Sequence, residues 1–139
     1  MKILMQLNDG QLRIVSQRRN GLILYKSYHA EFVGPGAAVG GLLDLDCQQV
    51  LPVGELCLLS PKSREERQRA YALRKQWTRL IEQITSRQTP LQRAQKIIEQ
   101  FEGFNFKADT INQLPDEAFA LLVGVLPHTI REARNSLRA

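Results

Sequence analysis

The chain has 139 residues, of which 43% are hydrophobic and 24% are charged, and its formal net charge is +5. This length accommodates one compact domain or two small ones, and the composition is ordinary for a soluble globular protein. No apolar run is as long as a membrane span, and the N-terminal segment MKILMQLNDGQ has too short an apolar run for a signal peptide. We therefore expect a cytoplasmic protein that has no membrane partner.

The first 59 residues have the pattern of short strands. KILMQL and QLRIVSQ flank the turn signal Asn8-Asp9-Gly10, and LILYKSY follows Asn20-Gly21. QQVLPV and ELCLLS form a second group of this kind after the glycine-rich segment. The pattern predicts a small N-terminal β domain over residues 1–59, a partial barrel or a sandwich.

The glycine-rich segment GPGAAVGG, residues 34–41, fits no nucleotide-binding fingerprint, because no Lys-Ser or Lys-Thr follows it and it lacks the GxGxxG register. We expect tight turns between strands there. Asp44 and Asp46 alternate with leucines just beyond it, which indicates a solvated edge.

From Pro61 onward the hydrophobic period becomes helical. Ser60 is the expected helix cap, and the pattern predicts a long connecting helix over residues 60–87. Apolar residues recur along it at steps of three and four and form a narrow seam. This seam either faces the β domain or pairs two copies of the chain in a homodimer; its residues are Ala70, Leu73, Trp77, Leu80 and Ile84.

The positive charge is concentrated in the middle of the chain. Residues 61–100 carry ten basic and four acidic side chains, whereas residues 1–60 are balanced and the remainder carries one more acid than base. The middle helices therefore either contact nucleic-acid phosphates or present a solvated face. The predicted phosphate contacts are Arg87, Arg93 and Lys96.

A helical domain is predicted over residues 88–139. Thr89-Pro90 is a helix cap followed by a preset first turn, and Gly103 ends that helix. The segment DEAFALLVGVLPHTIREARN, residues 116–135, then has Gly124 at a turn and the small Ala120 four residues earlier. Helical spacing places five further apolar residues on the inner faces of two helices: Phe119, Val123, Val125, Ile130 and Ala133.

This segment resembles the helix-turn-helix of bacterial transcription regulators. In that family the second helix enters the major groove of DNA. The resemblance implies that Arg131 takes a guanine and Asn135 an adenine, since both side chains can bind a base edge through two hydrogen bonds. The full set of DNA-binding residues that it implies is Pro127, His128, Thr129, Arg131, Glu132, Arg134 and Asn135. Leu126 also faces outward and could equally contact a thymine methyl group or a protein partner.

The order of elements resembles a shortened member of the Crp/Fnr regulators: a β-rich first half, a long helix with an apolar seam and a C-terminal helix-turn-helix. That family binds cyclic nucleotides through a Gly-Glu pair followed by Arg-Ser or Arg-Thr, and this chain has no such cassette. No cofactor is therefore predicted.

The sequence offers no support for an enzyme. It has no serine or cysteine in a nucleophile context and no His and carboxylate at ligand spacing. Cys47 and Cys57 make no zinc spacing with His29 and His128, so we expect buried, reduced, structural thiols and no metal. The predicted function is a sequence-specific regulator that binds double-stranded DNA. The alternative is a non-catalytic adaptor that binds a protein of the transcription or replication machinery.

Overall fold

The computed structural model describes residues 2–86 and 89–138. The chain divides into two compact units, the N-terminal unit Met1–Arg79 and the C-terminal unit Leu80–Ala139. Within the described residues the fold contains two three-stranded antiparallel sheets and six helices, and neither sheet closes into a barrel. The α+β class predicted from the sequence is confirmed.

The N-terminal unit holds one short helix, six strands and most of a long helix. The helix α1 spans Lys2–Leu7. The strands are β1 Leu12–Val15, β2 Asn20–Tyr25, β3 Ala30–Val33, β4 Ala38–Gly40, β5 Gln49–Gly54 and β6 Leu58–Leu59. The long helix α2 spans Arg64–Thr85 and continues past the boundary between the units.

The strands form two sheets around one apolar core. One sheet has the order β4-β1-β6 and the other the order β3-β2-β5. Val15 and Val39 of the first sheet share a buried cluster with Leu22, Leu24 and Val33 of the second. The alternation of side chains along each strand thus directs one face of each sheet into this cluster.

The first predicted strand is wrong, because Lys2–Leu7 is helical. Leu7 is fully buried, and Ile3 and Leu4 pack against the same core, while Met5 is 72% exposed. A strand would have placed Ile3, Met5 and Leu7 on one face. The helix instead buries Leu7 and partly buries Ile3 and Leu4 at helical spacing, so tertiary packing determines its conformation.

The N-terminus of α2 lies a few residues later than predicted. Ser63, not Ser60, caps it, since the Ser63 hydroxyl accepts a hydrogen bond from the Glu66 amide at 3.1 Å. The Glu66 carboxylate in turn accepts from the Lys62 amide at 2.6 Å. The Ser63 hydroxyl thus satisfies one amide of the first helical turn, and the Glu66 carboxylate satisfies an amide that precedes the cap.

The predicted dimerisation seam of α2 is used within a single chain. The Trp77 indole packs edge-on against Phe32, with ring centroids 5.4 Å apart, and its Nε1 donates to the Pro35 carbonyl at 3.4 Å. Its ring lies so close to Gly34 that a side chain there would collide with it.

The other seam residues are buried to different degrees. Leu73 packs against the N-terminal core, and the exposed fractions of Ala70 and Ile84 are 2% each. Leu80 is half-buried. Of the two predicted alternatives, Leu73 and Trp77 thus follow the one in which the seam faces the β domain.

A buried ion cluster fixes α2 to the sheets. Asp44 is fully buried; its Oδ1 accepts from Arg74 and from Lys26, each at 2.9 Å. Its Oδ2 accepts from Arg74 at 3.0 Å and from the Gly40 amide at 2.7 Å. Arg74 also donates to the Ala38 carbonyl at 3.1 Å. The cluster therefore links α2, β4 and the end of β2 through one carboxylate.

The prediction of a solvated edge is thus wrong for Asp44. Asp46 is the exposed member of the pair, and it meets Lys26 at 2.7 Å with 71% of its side chain exposed. A buried carboxylate requires paired charges and a full set of hydrogen bonds, and Asp44 has both. Its cationic partners are 18 and 30 positions away along the chain, so local sequence carries no signal for them.

The C-terminal unit contains the end of α2 and four further helices. These are α3 Pro90–Gly103, α4 Ala108–Gln113, α5 Asp116–Val123 and α6 Pro127–Arg138. The predicted start and end of α3 are confirmed, with Thr89 and Gln92 forming a reciprocal cap. The helix α4 was not predicted. Phe101 and Phe119 meet edge-on at 5.0 Å in the core, where both are fully buried.

Candidate nucleic-acid interface

Helices α5 and α6 are joined by a tight turn at Gly124. This residue has φ 69° and ψ 44°, the left-handed conformation, and its amide donates to the Ala120 carbonyl at 2.9 Å. The amide of Val125 donates to the same carbonyl at 3.1 Å. Only glycine takes this conformation without steric cost, so the sequence position of Gly124 fixes where the turn falls.

The inner faces of the two helices bury the predicted residues. Phe119, Val123, Ile130 and Ala133 are each at most 1% exposed, whereas Val125 in the turn is half-buried. Helix α3 packs against both α5 and α6. Helices α3 and α5 therefore hold α6 with one fixed face inward and the opposite face in solvent.

Five of the seven side chains predicted to contact DNA lie on the exposed face of α6. They are Pro127, His128, Arg131, Glu132 and Asn135. Leu126, just before the helix, is 63% exposed. The Arg131 side chain is 68% exposed, and its Nε lies 3.7 Å from the Asp116 carboxylate. Arg131 and Asn135 are four positions apart and so project from neighbouring turns of the helix.

Thr129 and Arg134 do not belong to this exposed face. Thr129 is 9% exposed. The Arg134 side chain is 12% exposed, and its Nε lies 2.9 Å from the Asp116 Oδ1. Neither residue therefore belongs to the candidate interface.

Arg134 has a structural position inside the unit. Its guanidinium donates to the Ile111 carbonyl at 3.3 Å and to the Leu114 carbonyl at 2.5 Å. It also lies over the Phe119 ring, 5.2 Å from the centroid. One side chain thus connects α6 with the end of α4 and the start of α5. Sequence reasoning missed this because the pattern of α6 alone does not distinguish a helix-bridging arginine from an outward one.

The structure describes two of the three predicted phosphate contacts, Arg93 and Lys96. Arg93 is half-buried, and its Nη2 donates to the Gly124 carbonyl at 3.3 Å, which places a cation at the C-terminal end of α5. Lys96 is half-buried on α3. Arg87 lies outside the described residues. Arg93 therefore supports the turn between α5 and α6.

The net charge differs sharply between the two units. Residues 80–139 carry seven basic and seven acidic side chains, so their formal charge is zero. Residues 1–79 carry twelve basic and seven acidic ones, which is the whole net charge of +5. The unit that presents α6 thus has no excess of positive charge for a polyanion.

The described residues contain no group of three or more His, Cys, Asp or Glu side chains arranged to hold a metal ion. Cys47 is buried and Cys57 is half-buried, and neither forms a disulfide. Burial raises the pKa of the Cys47 thiol, which keeps it protonated. None of the helices in the described ranges combines the length and hydropathy that a membrane crossing requires.

Compared with models of protein families, with curated proteins and with solved structures, the chain has no match.

Proposed function

We propose that the protein is a sequence-specific DNA-binding regulator of transcription, and that α6 is the helix that reads the major groove. The observation that carries the proposal is the pair α5 and α6, joined through the left-handed Gly124, with the apolar face of α6 buried and its polar face exposed. A helix held in this way can enter a groove about 12 Å wide while its neighbours stay outside.

The side chains on the exposed face support base reading by Arg131 and Asn135. An arginine fork matches the two acceptors of guanine, and an asparagine amide matches the donor and acceptor of adenine. The ion pair between Arg131 and Asp116 has an N–O distance of 3.7 Å, so Arg131 can exchange it for a contact with a base. His128, one turn before Arg131, provides a further polar contact near the start of the helix.

Selection of duplexes from a random pool, followed by fluorescence anisotropy on the enriched sequence, tests the proposal. We expect a defined sequence to be enriched and the double variant Arg131→Ala/Asn135→Ala to lose the preference for it. Each lost bidentate contact is worth about 1–3 kcal/mol of discrimination, or roughly five- to 150-fold in affinity.

The matched control is Lys107→Ala/Asn112→Ala. It removes one cation and one asparagine from exposed positions of the same unit, at and within α4. The control is expected to keep the sequence preference. Equal losses in the two double variants, or no enrichment at all, would contradict base reading by α6.

A second function, a protein-binding adaptor, is favoured by two observations. Leu126 is a large apolar side chain that is 63% exposed at the start of α6. The unit around it has zero formal charge, which suits a protein interface better than a phosphate backbone. In this reading, Leu126 anchors the unit on a component of the transcription or replication machinery.

Purified RNA polymerase is a direct probe for the adaptor. The affinity of an apolar interface responds weakly to salt. Binding that persists when the salt concentration is raised from about 50 to about 200 mM, and that is lost in Leu126→Asp, would favour the adaptor function. Leu137→Asp, which introduces the same charge at a 40% exposed leucine of α6, is the control. Binding that is equally weakened by both substitutions would speak against Leu126 as the anchor.

A further inference from the structure

We infer that the outward face of α2 within the N-terminal unit is a binding site for the phosphodiester backbone of nucleic acid. The site is a stripe of four cations with a tyrosine between them: Arg64, Arg67, Tyr71, Lys75 and Arg79. We call it the α2 stripe. It holds whether or not α6 reads bases, because none of its residues lies on α6.

Helix geometry places the five side chains together. Steps of three and four residues keep them within an arc of about 120°, at 100° per residue. All four cations are exposed, and Tyr71 is 40% exposed. From Arg64 to Arg79 the stripe is about 22 Å long, at 1.5 Å per residue. Glu82, three positions beyond Arg79, ends it.

The direction in which the stripe faces is fixed by contacts that α2 makes beside and opposite the stripe. Arg74 is held by the buried Asp44 through two hydrogen bonds, at 2.9 and 3.0 Å. Trp77 is held by Phe32 and the Pro35 carbonyl. These contacts prevent the helix from rotating on the sheets, so the stripe stays in solvent.

The stripe cations are not neutralised within the protein. Across residues 2–86 and 89–138, none of the four takes part in an ion pair, whereas Arg74 on the same helix is paired with Asp44 and Glu31. Exposed cations without internal partners are available to replace the counterions of a polyanion. The release of those counterions is the main source of affinity for a nucleic-acid backbone.

The composition of the stripe favours a nucleic acid over a membrane surface. A helix that lies on a lipid surface inserts an apolar face of its own. The apolar face of α2 is instead packed inward at Leu73 and Trp77, and the stripe has Tyr71 as its one large apolar side chain. Arginine recognises phosphate through paired N–H groups, and three of the four cations are arginines.

Charge distribution gives the inference its second support. The net +5 of the chain lies entirely in the N-terminal unit, and the C-terminal unit is formally neutral. Two of the twelve basic side chains of the N-terminal unit, Lys26 and Arg74, are buried in the ion cluster. The α2 stripe contains four of the cations that remain.

The test is the salt dependence of binding to a random-sequence duplex, measured by fluorescence anisotropy on the full chain. The stripe variant carries Gln at Arg64, Arg67, Lys75 and Arg79, since glutamine preserves helix propensity. Each phosphate contact contributes about 0.9 to the slope of log K against log salt, so we expect the slope to fall by about 3.6.

The control variant carries Gln at four exposed cations elsewhere, Arg18, Arg19, Lys62 and Lys107. Its net charge equals that of the stripe variant. If the site lies on α2, the control variant should have a salt slope close to that of the unmodified protein. Far-UV circular dichroism of both variants verifies that α2 is intact.

Three results would overturn the inference. The first is equal loss in the two variants, which would mean that total charge and no local site governs binding. The second is an unchanged slope in the stripe variant with α2 intact. The third is tighter binding of the unmodified protein to vesicles of phosphatidylserine than to the duplex, abolished in the stripe variant, which would assign the stripe to a lipid surface.

The outcome also separates this inference from the proposed function. Loss of the salt slope in the stripe variant with no enrichment of any sequence would retain the phosphate site and reject base reading by α6. Enrichment that depends on Arg131 and Asn135, with an unchanged slope in the stripe variant, would retain base reading by α6 and reject the phosphate site.

Discussion

The N-terminal unit carries the whole net charge of the chain and contains a buried ion cluster beside its apolar core, whereas the C-terminal unit is formally neutral and has a core that contains Phe101 and Phe119. The helix that resembles a reading helix thus lies in the unit without excess positive charge. In DNA-binding proteins, phosphate contacts supply affinity and base contacts supply sequence preference. The two proposals therefore place affinity and sequence preference on separate units of the chain.

The units should also differ in how they respond to mutation, and the chain offers a separate signal for each. Trp77, the single tryptophan, belongs to the N-terminal unit, so its fluorescence reports the unfolding of that unit. Helical circular dichroism is weighted toward the C-terminal unit, because α3 to α6 lie in it, and α1 and most of α2 contribute the remainder from the N-terminal unit.

The largest effect is expected from Asp44→Asn. Removing this charge leaves Arg74 and Lys26 without their shared buried partner, and breaking a buried pair in this way costs about 3–5 kcal/mol. Urea unfolding followed by Trp77 fluorescence measures the loss. The control Asp46→Asn removes an exposed partner of Lys26 and should have a much smaller effect. Similar midpoints for both variants would show that the cluster does not stabilise the unit.

The second effect, in the C-terminal unit, is that of Arg134→Ala. The substitution removes two hydrogen bonds to main-chain carbonyls and the ion pair with Asp116, and hydrogen bonds of charged groups contribute about 1.5–3 kcal/mol. The helical transition in urea should shift accordingly. Arg131→Ala is the matched arginine on the same helix and should change it by at most about 0.5 kcal/mol, as surface substitutions do.

The fluorescence transition of Trp77 tests whether the two units are energetically separate. If Arg134→Ala shifts the fluorescence transition as much as the helical one, the two units unfold together and do not differ in stability. If the fluorescence transition stays in place, each unit has its own stability.

The third effect is that of Gly124→Ala. A side chain at this position would meet no atom within 4 Å, so the cost comes from the left-handed backbone alone, about 1–2 kcal/mol. Gly103→Ala is a control in equally open space at a helical residue with ordinary φ, and it should be neutral or slightly stabilising. Equal changes in the helical transition would show that Gly124 is not required for its conformation.

The features predicted correctly from the sequence depend on local backbone chemistry. Gly124 and Thr89-Pro90 specify a left-handed turn and a helix start through their own covalent structure, and both lie where predicted. Residues 22–25 also lie in the predicted strand, whereas the expected turn residues Asn20 and Gly21 are themselves the first residues of β2 and pair with β5. Local signals therefore identified most of the elements.

The features that were missed depend on contacts between distant positions. The conformation of Lys2–Leu7 is decided by a core that other strands complete. Asp44 is paired with Arg74 across 30 positions, and nothing in the run LLDLD indicates that one of its two acids is fully buried. The same limit applied to the candidate interface. Periodicity placed Arg131 and Arg134 on α6, but only the packing of α4 and α5 showed that Arg134 is used within the unit.

The smallest effect is a difference in acid stability that arises in the N-terminal unit. Burial raises the pKa of Asp44, but the hydrogen bonds and charge of Arg74, the Gly40 amide and Lys26 outweigh it, so the pKa lies below its usual value. A carboxyl group with a lowered folded-state pKa stabilises the protein above its unfolded pKa, about 3.9, and this contribution is lost as the pH falls through the folded-state pKa. Between pH values of about 7 and 5 Asp44 should therefore add no pH dependence. Below about pH 4 the stability measured by Trp77 fluorescence should fall more steeply in the unmodified protein than in Asp44→Asn. Parallel acid profiles for the two proteins would mean that Asp44 titrates alike in the folded and unfolded chains, and the cluster would then lose its role as the acid-sensitive element that distinguishes the N-terminal unit.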